Sequence, residues 1–427
     1  MTEPAARPRP WLRLMSGRDP GEAHRASTPL ELLFDLTFVV AVARAGIELR
    51  DALAQGHAGH ALAGYAVVFF GLWWAWVNFT WFASAYDTDD VAYRLLTLLQ
   101  MAGVLVFAAG IPAAFAHFDF ATVVAGYVIM RLALVTQWLR AARSHPEGRP
   151  GTLRYAAGVT VVQACWVGWL FLPGPARLAG LLVLVAAELA VPAWAEFAGR
   201  ATPWHPGHIT ERYGLFTIIV LGEVIAAIAA AVQEALGHSR ASPGLLTAAA
   251  AGLLLVFALW WSYFKHSAAE RIAQSLPWTF VWALGHYLIF AAVAALGAGL
   301  QVAVGTLAHT TRVTQPFAAF AVAIPVAVFI AVLGLLTTRI SSAAAGLTLL
   351  TAALVLAAAA ATPILTLPPS IVIMVALVAS LLAYHLTAAH RATRHPGPGP
   401  VPGNATDPAA PPGHRGSAAE PPARGSR

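Results

Sequence analysis

Twelve apolar runs, each close to twenty residues, succeed one another between short polar breaks: near 30–49, 62–86, 91–115, 119–141, 152–172, 176–196, 213–236, 243–264, 277–302, 316–336, 343–361 and 368–388. A helix rising 1.5 Å per residue needs about 20 residues to cross a hydrocarbon core of about 30 Å, the length these runs have. No water is present there to satisfy a backbone amide, so each run must bond its own N–H and C=O groups as a helix. Nothing alternates at period two, as the strands of a membrane barrel would. The pattern predicts an all-α, polytopic integral membrane helical bundle of about twelve transmembrane helices. The run 343–361 is so alanine-rich that it leaves a count of ten or eleven open.

Composition agrees with lipid as the solvent. Apolar residues are 58% of the 427 and charged residues 11%, against about 25% charged in a soluble domain. Basic residues lie between the apolar runs rather than in one patch, which argues for membrane orientation and against a nucleic-acid partner. With the N-terminus inside, the inward arms and loops hold 20 of the 26 Lys and Arg, and the outward loops hold Arg50, Arg177, Arg240 and Arg312. Both termini are therefore expected in the cytoplasm, with the chain in a bacterial inner membrane. Residues 1–28, rich in Arg and Pro, read as a cytoplasmic arm; 29–390 form the transmembrane domain; 391–427 read as a disordered cytoplasmic tail. Cys165 is the single cysteine and excludes disulfides and thiolate metal sites.

A faint echo runs through the chain. Glu31 opens a span with Thr37 six residues on, and Glu211 another with Thr217 six residues on; each is followed by a span with a tryptophan pair, Trp73-Trp74 and Trp260-Trp261. Two six-helix halves in the same orientation would give this spacing, and so would chance likeness between apolar segments.

A charge inside a span costs about 2.5–3.5 kcal/mol on insertion scales, so such residues face a cavity or a partner. Glu31 and Asp35 share one helix face, one turn apart. Glu31 alone could serve a helix N-terminus, capped by Ser27 or Thr28 with Pro29 in the first turn; Asp35 lies too deep for that. Arg44 has Glu48 four residues on. Arg131 sits mid-span above Tyr127 with no acid near in sequence, so its partner must come from Asp35, Glu188 or Glu223. Asp35, Glu31, Arg131, Glu188 and Glu223 are the candidate substrate- or proton-coupling residues.

A second group reads as structural: Arg44, Asp87, Asp89, Asp90, Arg94, Glu211, Arg212 and His286. Asp90 and Arg94 are expected to pair four apart. The run Asp87–Asp90 could hold a divalent ion, and His205, His208 and Glu211 recur at metal-ligand intervals. Pro203 and Pro206 interrupt that spacing, however, so no metal site, catalytic set or cofactor is assigned. His286 reads as a hydrogen-bonded packing residue.

Several of these blocks together resemble the bacterial low temperature requirement A (LtrA) family. They are Pro29-Leu30-Glu31-Leu32-Leu33-Phe34-Asp35-Leu36, Trp73-Trp74-Ala75-Trp76, Asp87-Thr88-Asp89-Asp90 with Arg94, and Tyr127 with Arg131. Further on come Glu211-Arg212-Tyr213-Gly214-Leu215-Phe216 through Leu221-Gly222-Glu223, and Trp260-Trp261 with Tyr263-Phe264. The resemblance covers about 28–390. It implies a multispanning bacterial inner-membrane protein linked by name to growth in the cold, and brings no substrate or catalytic residue. The buried acids point to a transporter or ion-conducting protein for a small solute or ion, with the lipid bilayer as the one assigned partner. The alternatives are a membrane sensor of cold adaptation, or a metal-dependent enzyme acting on lipid through Asp87–Asp90.

Overall fold

The computed structural model describes residues 11–22, 25–197, 201–237, 242–265, 272, 275–337 and 343–394. Among them are thirteen helices and no strand: α1 (Pro29–Ala54), α2 (Ala58–Tyr86), α3 (Val91–His117), α4 (Ala121–Ser144), α5 (Arg149–Trp169), α6 (Gly174–Phe197), α7 (Pro206–Gly237), α8 (Pro243–Phe264), α9 (Leu276–Leu307), α10 (Gln315–Thr337), α11 (Ala343–Ala360), the one-turn α12 (Thr362–Leu365) and α13 (Leu367–Arg394). The all-α polytopic bundle is thus observed. Ten of the described helices are long and apolar enough to cross a bilayer, including α11, where the alanine-rich run had left the count open. The two other long helices, α1 and α5, fall short on polarity. α1 carries Glu31, Asp35, Arg44, Glu48, Arg50 and Asp51, while α5 carries Arg149 and Arg154.

Helix starts follow the caps. Thr28 and Glu31 form a reciprocal capping box with Pro29 in the first turn; Asp90, Ser242 and Ser275 cap α3, α8 and α9. Pro206, expected to interrupt helical spacing, is instead the first residue of α7. It suits that position because the N–H it lacks would have had no partner in the helix.

Contacts within the two halves follow one plan. α1 packs on α2 and α3, α3 on α4, and α4 on α5; likewise α7 packs on α8 and α9, α9 on α10, and α10 on α11. The halves meet where α1 and α2 lie against α7 and α9. In lipid, helices associate through close backbone approach, and each half has such a crossing in the same place. A Cβ on Gly126 of α4 would stand 2.6 Å from the carbonyl oxygen of Gly103 on α3, and one on Gly299 of α9 would stand 2.6 Å from the carbonyl carbon of Ala321 on α10. Neither distance is tolerable, so only glycine fits.

Contacts divide the chain into two units, 1–384 and 385–427; of 391–427, read above as a disordered tail, residues 391–394 are instead the last of α13, which continues the helix past the apolar run, and 395–427 lie outside the described residues. The described part of the arm before α1 packs on the end where α1 begins, here called the lower end. Met15 is fully buried, the Arg13 N–H donates to Asp90 Oδ2 at 2.8 Å, and the Arg18 N–H donates to the Ala85 carbonyl at 3.0 Å.

Candidate functional site

The first two turns of α1 bring Glu31 and Asp35 to the start of α7, where one guanidinium serves both. Arg212 places Nη2 2.5 Å from Asp35 Oδ1, Nε 3.2 Å from Asp35 Oδ2 and Nη1 3.0 Å from Glu31 Oε1. The planar fork of arginine allows this; lysine, a point charge, could not span both acids. Trp76 Nε1 donates to Asp35 Oδ1 at 2.7 Å, and His208 Nε2 lies 3.2 Å from Glu31 Oε1. Glu31, Asp35, His208 and Arg212 are all wholly inaccessible, in keeping with the rule that buried charges are paired.

Beneath this group Arg25 donates to the last carbonyls of α2, Ser84 and, at 2.7 Å, Ala83, where a cation suits the helix C-terminus. Its Nη2 is 4.0 Å from both Glu31 and Asp87. Three carboxyls therefore surround two guanidiniums, and Asp87 carries the surplus negative charge. Burial, and next the Glu31 carboxylate, push the Asp87 carboxyl up to about 6 against the pull of Arg25. A carboxyl raised on folding stabilises the fold below its unfolded value near 3.8, and that stabilisation is lost as pH rises through about 6. Asp87→Asn is accordingly expected to raise the melting temperature at pH 7.5 and flatten its dependence on pH between about 4 and 6; a detergent melting series in which the variant keeps the wild-type slope would refute this.

The acidic loop does not close on itself. Asp90 and Arg94, expected to pair, do not: Asp90 Oδ1 accepts from the Tyr93 N–H at 2.7 Å as the cap of α3, and its Oδ2 takes Arg140 at 2.6 Å. Capping bends the Asp90 side chain over the first-turn amides, so Arg94 reaches back instead to Asp89 at 2.8 Å. With Asp87 facing Arg25, the three acids turn three ways. His205, His208 and Glu211 diverge as well: the first contacts the Glu22 carbonyl, the second Glu31, and the third accepts from the Ser27 N–H at 3.1 Å.

A second buried group lies between α2, α4, α5 and α6. Of the three acids open to Arg131, Glu188 is the one it meets, Nη2 to Oε2 at 3.1 Å. Tyr127 and Trp166 donate to Glu188 Oε1 at 2.7 and 3.1 Å, and Trp74 donates to Oε2 at 2.8 Å. Arg131 also donates to the Tyr127 hydroxyl and lies over that ring, 4.6 Å from its centroid. Arg44 pairs with Glu48 at 2.5 Å, as its spacing predicts. Glu223, grouped in the sequence with the buried acids, is only half-buried and has no hydrogen-bond or ion-pair partner among the described residues.

A cavity of about 500 Å³ opens between the lower parts of α7, α8, α9 and α10, walled by Tyr263, Phe264, Trp278, Trp282 and His286, with Glu211 at its α7 side. His286 Nδ1 contacts the Trp282 carbonyl at 2.7 Å, which can only accept, so Nδ1 carries the proton and Nε2 is left to accept from the Tyr263 hydroxyl at 3.0 Å. Tyr213 joins the cavity to the ion-pair group: its ring lies 4.7 Å from Trp282 and 4.9 Å from Trp76.

The sequence reading missed Arg25, Trp76 and His208 as partners of the acids, and placed Arg212 in a structural polar group without joining it to Glu31 and Asp35. Comparison with known proteins finds that the profile described as bacterial low temperature requirement A protein (LtrA) matches residues 26–384. An uncharacterized protein of Rhizobium meliloti (strain 1021) is 30% identical over 276 residues, 62% of this chain and 63% of that protein, so the match spans less than two thirds of the relative's length. No solved structure matches.

Proposed function

Because the chain belongs to the bacterial low temperature requirement A (LtrA) family of multispanning membrane proteins, we propose that it is a proton-coupled secondary transporter of a small solute, with its lower end and both termini in the cytoplasm. The observation that carries the reading is that Glu211, on the wall of an open cavity, directly precedes Arg212 in α7, which holds α1 to α7 through two buried acids. Intramembrane acids of this kind mark ion and proton pathways. A proton taken by Asp35 weakens the grip of Arg212 on α1 while Glu31, which His208 also contacts, still holds it. The α1–α7 junction then has two states, and the cavity wall moves with α7. Glu223, eleven residues along α7 and about 16 Å away at 1.5 Å per residue, is the next carboxylate on that helix toward the far side.

Purified protein in liposomes loaded with a pH-sensitive dye tests the reading by screening for solute-driven proton movement. Wild type is expected to show it, and Glu31→Gln, Asp35→Asn and Glu223→Gln to lose it. Glu223→Gln should do so at undiminished membrane abundance, since no pair is broken. Full proton movement in all three variants would refute the coupling role.

A further inference from the structure

The substrate class of the cavity can be read from its wall. We propose that it takes a small organic cation of the quaternary or alkylated ammonium type. This deepens, and rests on, the assignment of the cavity as the transport site. The rings of Tyr263 and Phe264 lie 5.0 Å apart, those of Trp282 and His286 4.2 Å, and those of Tyr263 and His286 5.8 Å, so the lining aromatics pack into one continuous wall of the cavity. A cation over such faces is attracted by the ring quadrupoles, most strongly by tryptophan and when water is displaced. Glu211 is the one formal charge among the described lining residues. His286 is neutral in the tautomer fixed by the Trp282 carbonyl. Arg212 points the other way, into α1, where Asp35 and Glu31 engage it. The space therefore carries one negative charge and apolar aromatic walls, which disfavours anions and gives a polar uncharged solute few partners. Its volume, about 500 Å³, lies within the range of ligand sites of about 300–1,000 Å³. Gly214 adds to the shape: a Cβ there would stand 3.1 Å from Phe264, so the absence of a side chain lets that ring lie close on α7.

Choline and its uncharged isostere 3,3-dimethylbutan-1-ol have the same outline and differ in the central charge. Isothermal titration of the purified full chain in a maltoside detergent is expected to give choline a Kd at least about tenfold lower than the isostere, a ratio set by about 1.4 kcal/mol of cation attraction. Trp282→Leu should cost choline about tenfold, while Trp260→Leu, outside the cavity lining, should not change it. Equal binding of the two probes by wild type overturns the proposal without any variant, as does unchanged choline binding in a folded Trp282→Leu protein. Dihexanoyl phosphatidylcholine, added below its micellar concentration, separates the two sources of such a cation. Displacement of choline by it at lower concentration assigns a lipid headgroup; weaker displacement assigns a free solute. Choline binding without any solute-driven proton movement would strike the transport reading alone. Proton movement driven by an uncharged or anionic solute, in protein blind to choline, would strike the cation class alone.

Discussion

Arg212→Leu should remove most of the folded protein from the membrane. The substitution leaves Glu31 and Asp35, both wholly inaccessible, one helical turn apart, with Arg25 at 4.0 Å and His208 at 3.2 Å from Glu31 to offset that acid and, among the described residues, no cation beside Asp35. Breaking a buried pair by deleting one partner costs about 3–5 kcal/mol, a large part of a total stability of about 5–15 kcal/mol. The loss should be reversible by chemistry rather than by bulk: adding Glu31→Gln and Asp35→Asn to Arg212→Leu removes both stranded charges, and abundance is expected to recover in large part. Quantifying monodisperse protein after detergent extraction reads both effects. Wild-type abundance and melting in the single variant would show that the three charges are not coupled.

Glu188→Gln is expected to be nearly as damaging, although it looks conservative. The carboxylate accepts from four donors, Tyr127 and Trp166 on one oxygen, Trp74 and Arg131 on the other. An amide presents only one acceptor oxygen and turns an NH₂ group toward two donors on the other side. The buried guanidinium loses its counterion as well, and two donors face a donor, for a cost of at least about 3 kcal/mol. By contrast Trp166→Phe removes one neutral donor, worth about 1 kcal/mol. A melting shift for Glu188→Gln no larger than that for Trp166→Phe would refute the donor count.

The apolar runs marked the long helices because hydrocarbon permits little else, and the i+4 pair Arg44–Glu48 was legible because both partners lie on one helix. Arg131 was flagged as needing an acid by its depth alone; which acid it meets depends on how α4 and α6 pack, and nothing local encodes that. Arg212 was singled out as a polar residue but not joined to Asp35 for the same reason, since the two lie 177 residues apart on different helices and no local spacing encodes the pairing. The tryptophan pairs teach the converse. Trp73 and Trp74 are 2% and 3% exposed, whereas Trp260 and Trp261 are 45% and 52% exposed. The same dipeptide thus occurs in two surroundings, one supplying an indole N–H to Glu188 and the other facing outward at the end of α8. The order of helix contacts recurs between the halves, whereas the polar chemistry at the tryptophan pairs does not.

Arg212 follows Asp35 by 177 residues, and at a synthesis rate of about 5–20 residues per second the ribosome needs roughly 10 to 35 seconds to supply it. Throughout that interval α1 has emerged with two acids and no counterion from α7, and it is not among the ten described helices long and apolar enough to cross a membrane. One contact of the arm waits in the same way, since Glu22 meets His205 only when the second half has begun. The nascent chain therefore holds its first helix unfinished until its seventh arrives, so a ribosome stalled between the two would leave in the bilayer an α1 that quality-control proteases can recognise by its exposed charge.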